Sequence, residues 1–86
     1  MAKCFQLSVM TADGSALSGQ AEYCNLPVQE GSVGILADHA PMLCAIREGT
    51  AHFRMDGGEE KTVRLSAGVA EIRNNRVTVL VDRADL

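Results

Sequence analysis

The chain has 86 residues and a mass of 9.2 kDa, which is room for one small domain. Hydrophobic residues make up 47% and charged residues 22%, the balance of a packed chain and not of a disordered one. Eight basic against eleven acidic side chains leave a formal charge of −3, which argues against nucleic acid or anionic lipid as a partner, since both require a positive face.

Turn-forming residues recur along the chain at roughly the 8–12-residue spacing of an all-β sandwich or barrel. At the start, Met1-Ala-Lys-Cys4 carries a positive charge with no apolar block behind it, so no secretory signal is read. Phe5, Leu7 and Val9 then share one face of a first strand, with Gln6 and Ser8 opposite. Asp13-Gly14, Ser18-Gly19 and Glu30-Gly31 punctuate the next stretch. From Pro41 to Glu48 the residues suit a short helix started by Pro41 and ended by Gly49, or a strand, and periodicity alone leaves the two open. The apolar run inside it, Met42 to Ile46, is far below the roughly 20 residues that span a bilayer.

Further on, Ala51, Phe53 and Met55 alternate with His52 and Arg54, and Val63 and Leu65 alternate with Thr62 and Arg64. Asp56-Gly57-Gly58 between them predicts a hairpin, because its glycines supply the positive φ angles of a tight reversal. Asn74-Asn75 predicts a second hairpin, joining Gly68–Arg73 to Arg76–Val81, with Val77, Val79 and Val81 facing inward. No repeat or linker divides the chain, so residues 1–86 read as one domain.

Chemistry is sparse. Neither a phosphate-binding loop nor a dinucleotide fingerprint is present, and Gly31-Ser-Val-Gly34 is too common a pattern to mean phosphate. Asp38-His39 is the one dyad candidate, but neighbours on an extended chain point to opposite sides. Cys44 with His39 as a nucleophile pair has nothing further to support it, and His39 with His52 lacks a third metal ligand nearby in sequence. Cys4, Cys24 and Cys44 are odd in number and scattered, which suits reduced, mostly buried thiols and not a disulfide framework. Three aromatic residues give no stacking platform for sugars or bases. Neither a catalytic constellation nor a cofactor or metal site is expected, and the chain reads as a module that holds other things in place. A small ligand-binding β-sandwich is the alternative.

The segment Glu30-Gly-Ser-Val-Gly-Ile-Leu-Ala-Asp-His-Ala-Pro-Met-Leu-Cys-Ala-Ile-Arg-Glu-Gly49 resembles the E-G-x-x-G-I-L-x-x-H-A-P-x-L-x-x-(L/I)-x-x-G segment of the epsilon subunit of F-type ATP synthase, called delta in mitochondria. Phe5-x-Leu-x-Val, Leu17-Ser-Gly19, Leu65-Ser-Ala-Gly68-Val-Ala-Glu-Ile72 and Val77-Thr-Val-Leu-Val-Asp82 match in the same order, from about Phe5 to the last residue.

The resemblance implies a ten-stranded β-sandwich of two antiparallel sheets, in which Pro41–Glu48 is strand. It implies a non-catalytic rotor subunit of the central stalk that binds gamma and the c-ring, touches the F1 head only indirectly, and couples ion-driven rotation to ATP synthesis. Such a subunit lies peripherally on the cytoplasmic side of the bacterial inner membrane, or on the equivalent organelle face, without entering the bilayer. By matched position, Glu30, Gly31, Ser32 and His39 are expected to meet the c-ring, and Thr11, His39, Met42 and Leu43 to approach gamma. Glu30 reads equally as a solvated turn residue, and His39 as a ring that bonds backbone carbonyls of its own loop. Met10, Met42 and Leu43 are open between core and interface. An exposed apolar flank of several hundred Å² is expected where gamma docks. Two departures stand out. Ala67 stands in place of a glycine of the family's S-G-G, and Leu86 falls where the carboxy-terminal helical hairpin begins, so this chain is not expected to inhibit ATP hydrolysis.

Overall fold

A computed structural model describes residues 3–86. Nine strands follow in order: β1 (Phe5–Thr11), β2 (Gly14–Val28), β3 (Gly31–Leu36), β4 (Met42–Ile46), β5 (Gly49–Met55), β6 (Glu60–Leu65), β7 (Gly68–Arg73), β8 (Arg76–Val81) and β9 (Ala84–Asp85). They form two layers. One sheet runs β3-β2-β5-β6-β9, and the other runs β2-β1-β8-β7-β4. All neighbours are antiparallel except β1 and β8, which no hairpin joins.

Strand β2 belongs to both layers. Its first half pairs with β1, from Gly14 opposite Thr11 to Ala21 opposite Phe5, and its second half pairs with β3 and β5. Fifteen residues at about 3.3 Å each would reach roughly 50 Å, yet the longest dimension of the molecule is 33 Å. The strand is therefore bent. Gly19, at φ +148°, and a register irregularity between Ala21 and Tyr23 mark where it turns from one sheet into the other. Nine strands stand where ten were expected because this one strand does the work of two.

The alternation expected from sequence is observed. Phe5, Leu7, Val9, Ala51, Phe53, Met55, Val63, Leu65, Val77, Val79 and Val81 are buried, and among the described residues no polar or charged side chain is. Both hairpins form as expected. Asn74 (φ 52°) and Asn75 (φ 57°) occupy the left-handed region in a two-residue loop with Arg73 opposite Arg76. The open segment resolves as strand. Met42 and Cys44 pack toward the core and Ile46 is buried, while Leu43 and Ala45 face out, and all five pair with β7. Period two, locked by a full ladder, wins over a helix of barely two turns.

Candidate docking surfaces

Two loops and one sheet face carry the expected contact residues. The β2–β3 turn holds Glu30, Gly31 and Ser32 together, with Glu30 and Ser32 exposed. Arg47, which sequence reasoning passed over, braces this turn. Its Nε donates to the Val28 carbonyl at 2.8 Å, its Nη2 to the Gly31 carbonyl at 3.2 Å, and its backbone N–H to the Pro27 carbonyl at 3.1 Å. A guanidinium has enough donors to grip several carbonyls at once. The contact is close: a methyl at Gly49 would sit 3.0 Å from Pro27 Cβ.

The second loop joins β3 to β4 and carries Asp38 and His39. Asp38 holds a left-handed φ of 65°. Its carboxylate accepts from Lys3 Nζ at 2.6 Å and Asn75 Nδ2 at 2.8 Å, while its N–H donates to Asn75 Oδ1. The Lys3 and Asn75 hydrogen bonds hold the Asp38 carboxyl below its ordinary range. The Asn75 that shapes the β7–β8 turn thus also anchors this loop. The His39 Nδ1 lies 2.8 Å from the Ala40 carbonyl, so Nδ1 carries the proton and donates to its own loop. Asp38 and His39 point their polar atoms at different partners and form no dyad.

The structure does not bring the expected c-ring residues into one patch. Glu30, Gly31 and Ser32 lie at one end of β3 and His39 beyond the other, roughly 17 Å of strand apart at about 3.3 Å per residue.

The sheet face is the outer surface of β1-β8-β7-β4. Register places Met10 beside Leu80, Leu80 beside Val69, and Val69 beside Ala45. All four are exposed, with Met10 at 40%, Val69 at 43% and Leu80 at 48%. Two residues along β4, Leu43 is 75% exposed on the same face. The row runs straight across four strands. Leu43 and Met10 were open from sequence and are outward; Met42 packs against the core. Thr11 spends its hydroxyl in the β1–β2 turn, accepting from the Asp13 N–H at 3.1 Å and donating to the Gly14 carbonyl at 3.3 Å. Val69, Leu80 and Ala45 were not singled out from sequence. The signal was there, since an inward Val77, Val79 and Val81 puts an apolar Leu80 outside.

The opposite outer face is mostly polar, with Leu36, 62% exposed, beside Tyr23 as an apolar exception. Tyr23, Asn25, His52, Arg54, Thr62 and Glu60 line it, and Asn25 Nδ2 donates to the Tyr23 hydroxyl at 3.3 Å. Cys24 is buried, and Cys44, from the other sheet, is partly buried against the core. Burial, aided by the Cys44 thiol, pushes Cys24 up to about 12, and burial raises Cys44 as well. Both stay protonated near neutral pH and are poor nucleophiles. Among the described residues no group of three or more His, Cys, Asp or Glu is placed to hold a metal ion, and no helix is long and apolar enough to cross a membrane.

Fold and surface together define a two-layer β-sandwich domain with one apolar outer face and two internally braced loops. The chain belongs to the family of the ATP synthase delta/epsilon chain beta-sandwich domain, which matches it over residues 4–86. It is 38% identical over 85 residues to an ATP synthase epsilon chain of Desulfitobacterium hafniense, covering 99% of this chain and 64% of that one. It is 36% identical to the ATP synthase epsilon chain of Lawsonia intracellularis, covering 99% and 63%. The chain thus spans less than two thirds of the length of these relatives. Among solved structures, a chain of the Euglena gracilis mitochondrial ATP synthase (OSCP/F1/c-ring, rotational state 1) superposes with a TM-score of 0.89 at 20% identity, over 94% of this chain and 52% of that one. A chain of the Tetrahymena thermophila mitochondrial ATP synthase central stalk/c-ring gives 0.81 at 14% identity, over 96% and 66%. At these identities the two structures establish the fold.

Proposed function

We propose that this chain is a non-catalytic rotor component of an F-type ATP synthase, binding gamma through the outer face of β1-β8-β7-β4 and the c-ring through its loops. In that position it couples ion-driven rotation to ATP synthesis. The observation that carries this reading is the row Met10–Leu80–Val69–Ala45, an apolar strip on one side of a small sandwich of the epsilon family. The solved neighbours come from assemblies described as containing the c-ring, which supports the second partner.

Of the residues assigned to gamma, Leu43 contributes directly as an exposed apolar side chain. Met42 backs it from the core side, and Thr11 fixes the turn beside Met10. His39 adjoins this face through the β3–β4 loop. On the c-ring side, Glu30, Gly31 and Ser32 form one braced tip, with an exposed carboxylate suited to a basic or amide group at about 0–1 kcal/mol per pair. If His39 also meets the ring, that contact extends along the open edge of β3. The chain sits peripherally, on the cytoplasmic side of a bacterial inner membrane or the equivalent organelle face.

Titration of an isolated gamma subunit with wild-type chain and Leu80→Asp tests this reading. A charge in the centre of the apolar contact should weaken binding by about tenfold or more, with little change in melting temperature because Leu80 is half exposed. Equal binding by the two proteins, or no binding by the wild type, overturns it.

A further inference from the structure

The apolar row occupies one end of the outer face of β1-β8-β7-β4, and two arginines occupy the other. Arg73 and Arg76 are directly opposite each other across the β7–β8 hairpin, and both are exposed. Like charges opposite one another in a sheet destabilise it, and their Cβ atoms are about 5 Å apart. Among the described residues one carboxylate is at hand: Glu71 Oε2 stands 4.0 Å from Arg73 Nη1, at the limit of an ion pair. No ion pair to Arg76 is found among the described residues. Elsewhere Lys3, Arg54, Lys61 and Arg64 each have an acidic partner, Arg47 grips main-chain carbonyls, and Arg83 shares with Arg76 the lack of an ion pair among the described residues. The chain as a whole is acidic, at −3, so this positive spot is not a by-product of composition.

Along β8 the same face reads Arg76, Thr78, Leu80, and along β7 it reads Arg73, Glu71, Val69. The arginines and the apolar row are thus about 13 Å apart on one continuous surface, at about 3.3 Å per residue. We infer that the protein partner seated on this face presents carboxylates to Arg73 and Arg76 beside an apolar strip that covers Met10, Leu80 and Val69. The guanidinium forks match carboxylates in two-point geometry. An acidic group there relieves the repulsion between the arginines and fixes which way round the partner lies. This rests on the reading of the face as the gamma-docking surface and adds the charge pattern of its partner.

The experiment titrates isolated gamma subunit with wild-type chain, Arg73→Glu/Arg76→Glu, Arg73→Ala/Arg76→Ala and Leu80→Asp, at low and at physiological salt. The glutamate pair should weaken binding by about tenfold at low salt, and less as salt screens the charges. The alanine pair should melt no lower than wild type, since it removes a like-charge contact, and should bind with a shallower salt dependence. If both arginine variants bind like wild type while Leu80→Asp binds weakly, the partner is not acidic here, and the inference fails while the docking face stands. If Leu80→Asp also binds like wild type, or if wild type does not bind, the docking face itself is wrong and the inference falls with it.

Discussion

Asp38 shows how a single residue fastens a loop. Its backbone needs the left-handed region, which Asp and Asn tolerate, and its carboxylate joins Lys3 to Asn75. Because these bonds lower its folded pKa, the unfolded chain binds a proton at higher pH than the folded one does. The stabilisation is therefore complete above the ordinary carboxyl value of about 4 and is lost as pH falls through the lower folded value. Asp38→Asn keeps the backbone angle but loses the charge. Melting curves should show it less stable than wild type at neutral pH, with the gap closing in acid; a gap independent of pH would mean that the Lys3 contact contributes nothing. Gly68 is a second case. A Cβ there would lie 2.1 Å from the Leu80 carbonyl oxygen and 2.8 Å from Val81 Cγ1. Gly68→Ala should cost about 2–3 kcal/mol in denaturant unfolding, by forcing β7 away from β8. Ala67 next to it is exposed and has no positive φ, so the departure from the family's paired glycines is accommodated.

Strands β7 and β8 show at the next scale why period-two patterning was readable. Val77, Val79 and Val81 point into the core, and Thr78 and Leu80 point out. Val79 is fully buried, so Val79→Asp should destabilise by about 3–5 kcal/mol through an unpaired buried charge. Thr78→Asp faces Glu71 across the ladder and should cost under about 1 kcal/mol. Thermal melts showing equal losses would mean the faces are reversed. The hairpin turns were legible for the same local reason, since Asn74-Asn75 and Gly57-Gly58 each announce positive φ. Segment Met42–Ile46 was not, because five residues carry too little periodicity to separate strand from helix, and the deciding ladder with β7 is far away in sequence. Arg47 was unreadable for a related reason: its acceptors are main-chain carbonyls, which no side-chain pattern reveals.

For the whole molecule, the two-sheet architecture could be read from turn spacing and alternation, but the outer-face apolar row could not. It exists only after the register aligns Met10, Leu80, Val69 and Ala45, which are spread over seventy-one positions from Met10 to Leu80. The separation of Glu30 from His39 was likewise hidden, because nearness in sequence concealed the length of the strand between them. With buried residues from every long strand in one core, unfolding should be a single transition. Tyr23 fluorescence and far-UV circular dichroism should trace superimposable urea curves; two separated midpoints would show the layers unfolding independently.

The bent strand β2 gives this core an unusual mechanical property. A sandwich whose layers touch only through side chains can creep when it is twisted, as one layer slips over the other. Here a continuous backbone crosses the corner, so slippage would have to strain covalent geometry and unzip ladders on both sides together. A block built that way answers a turning load by rotating as one stiff body.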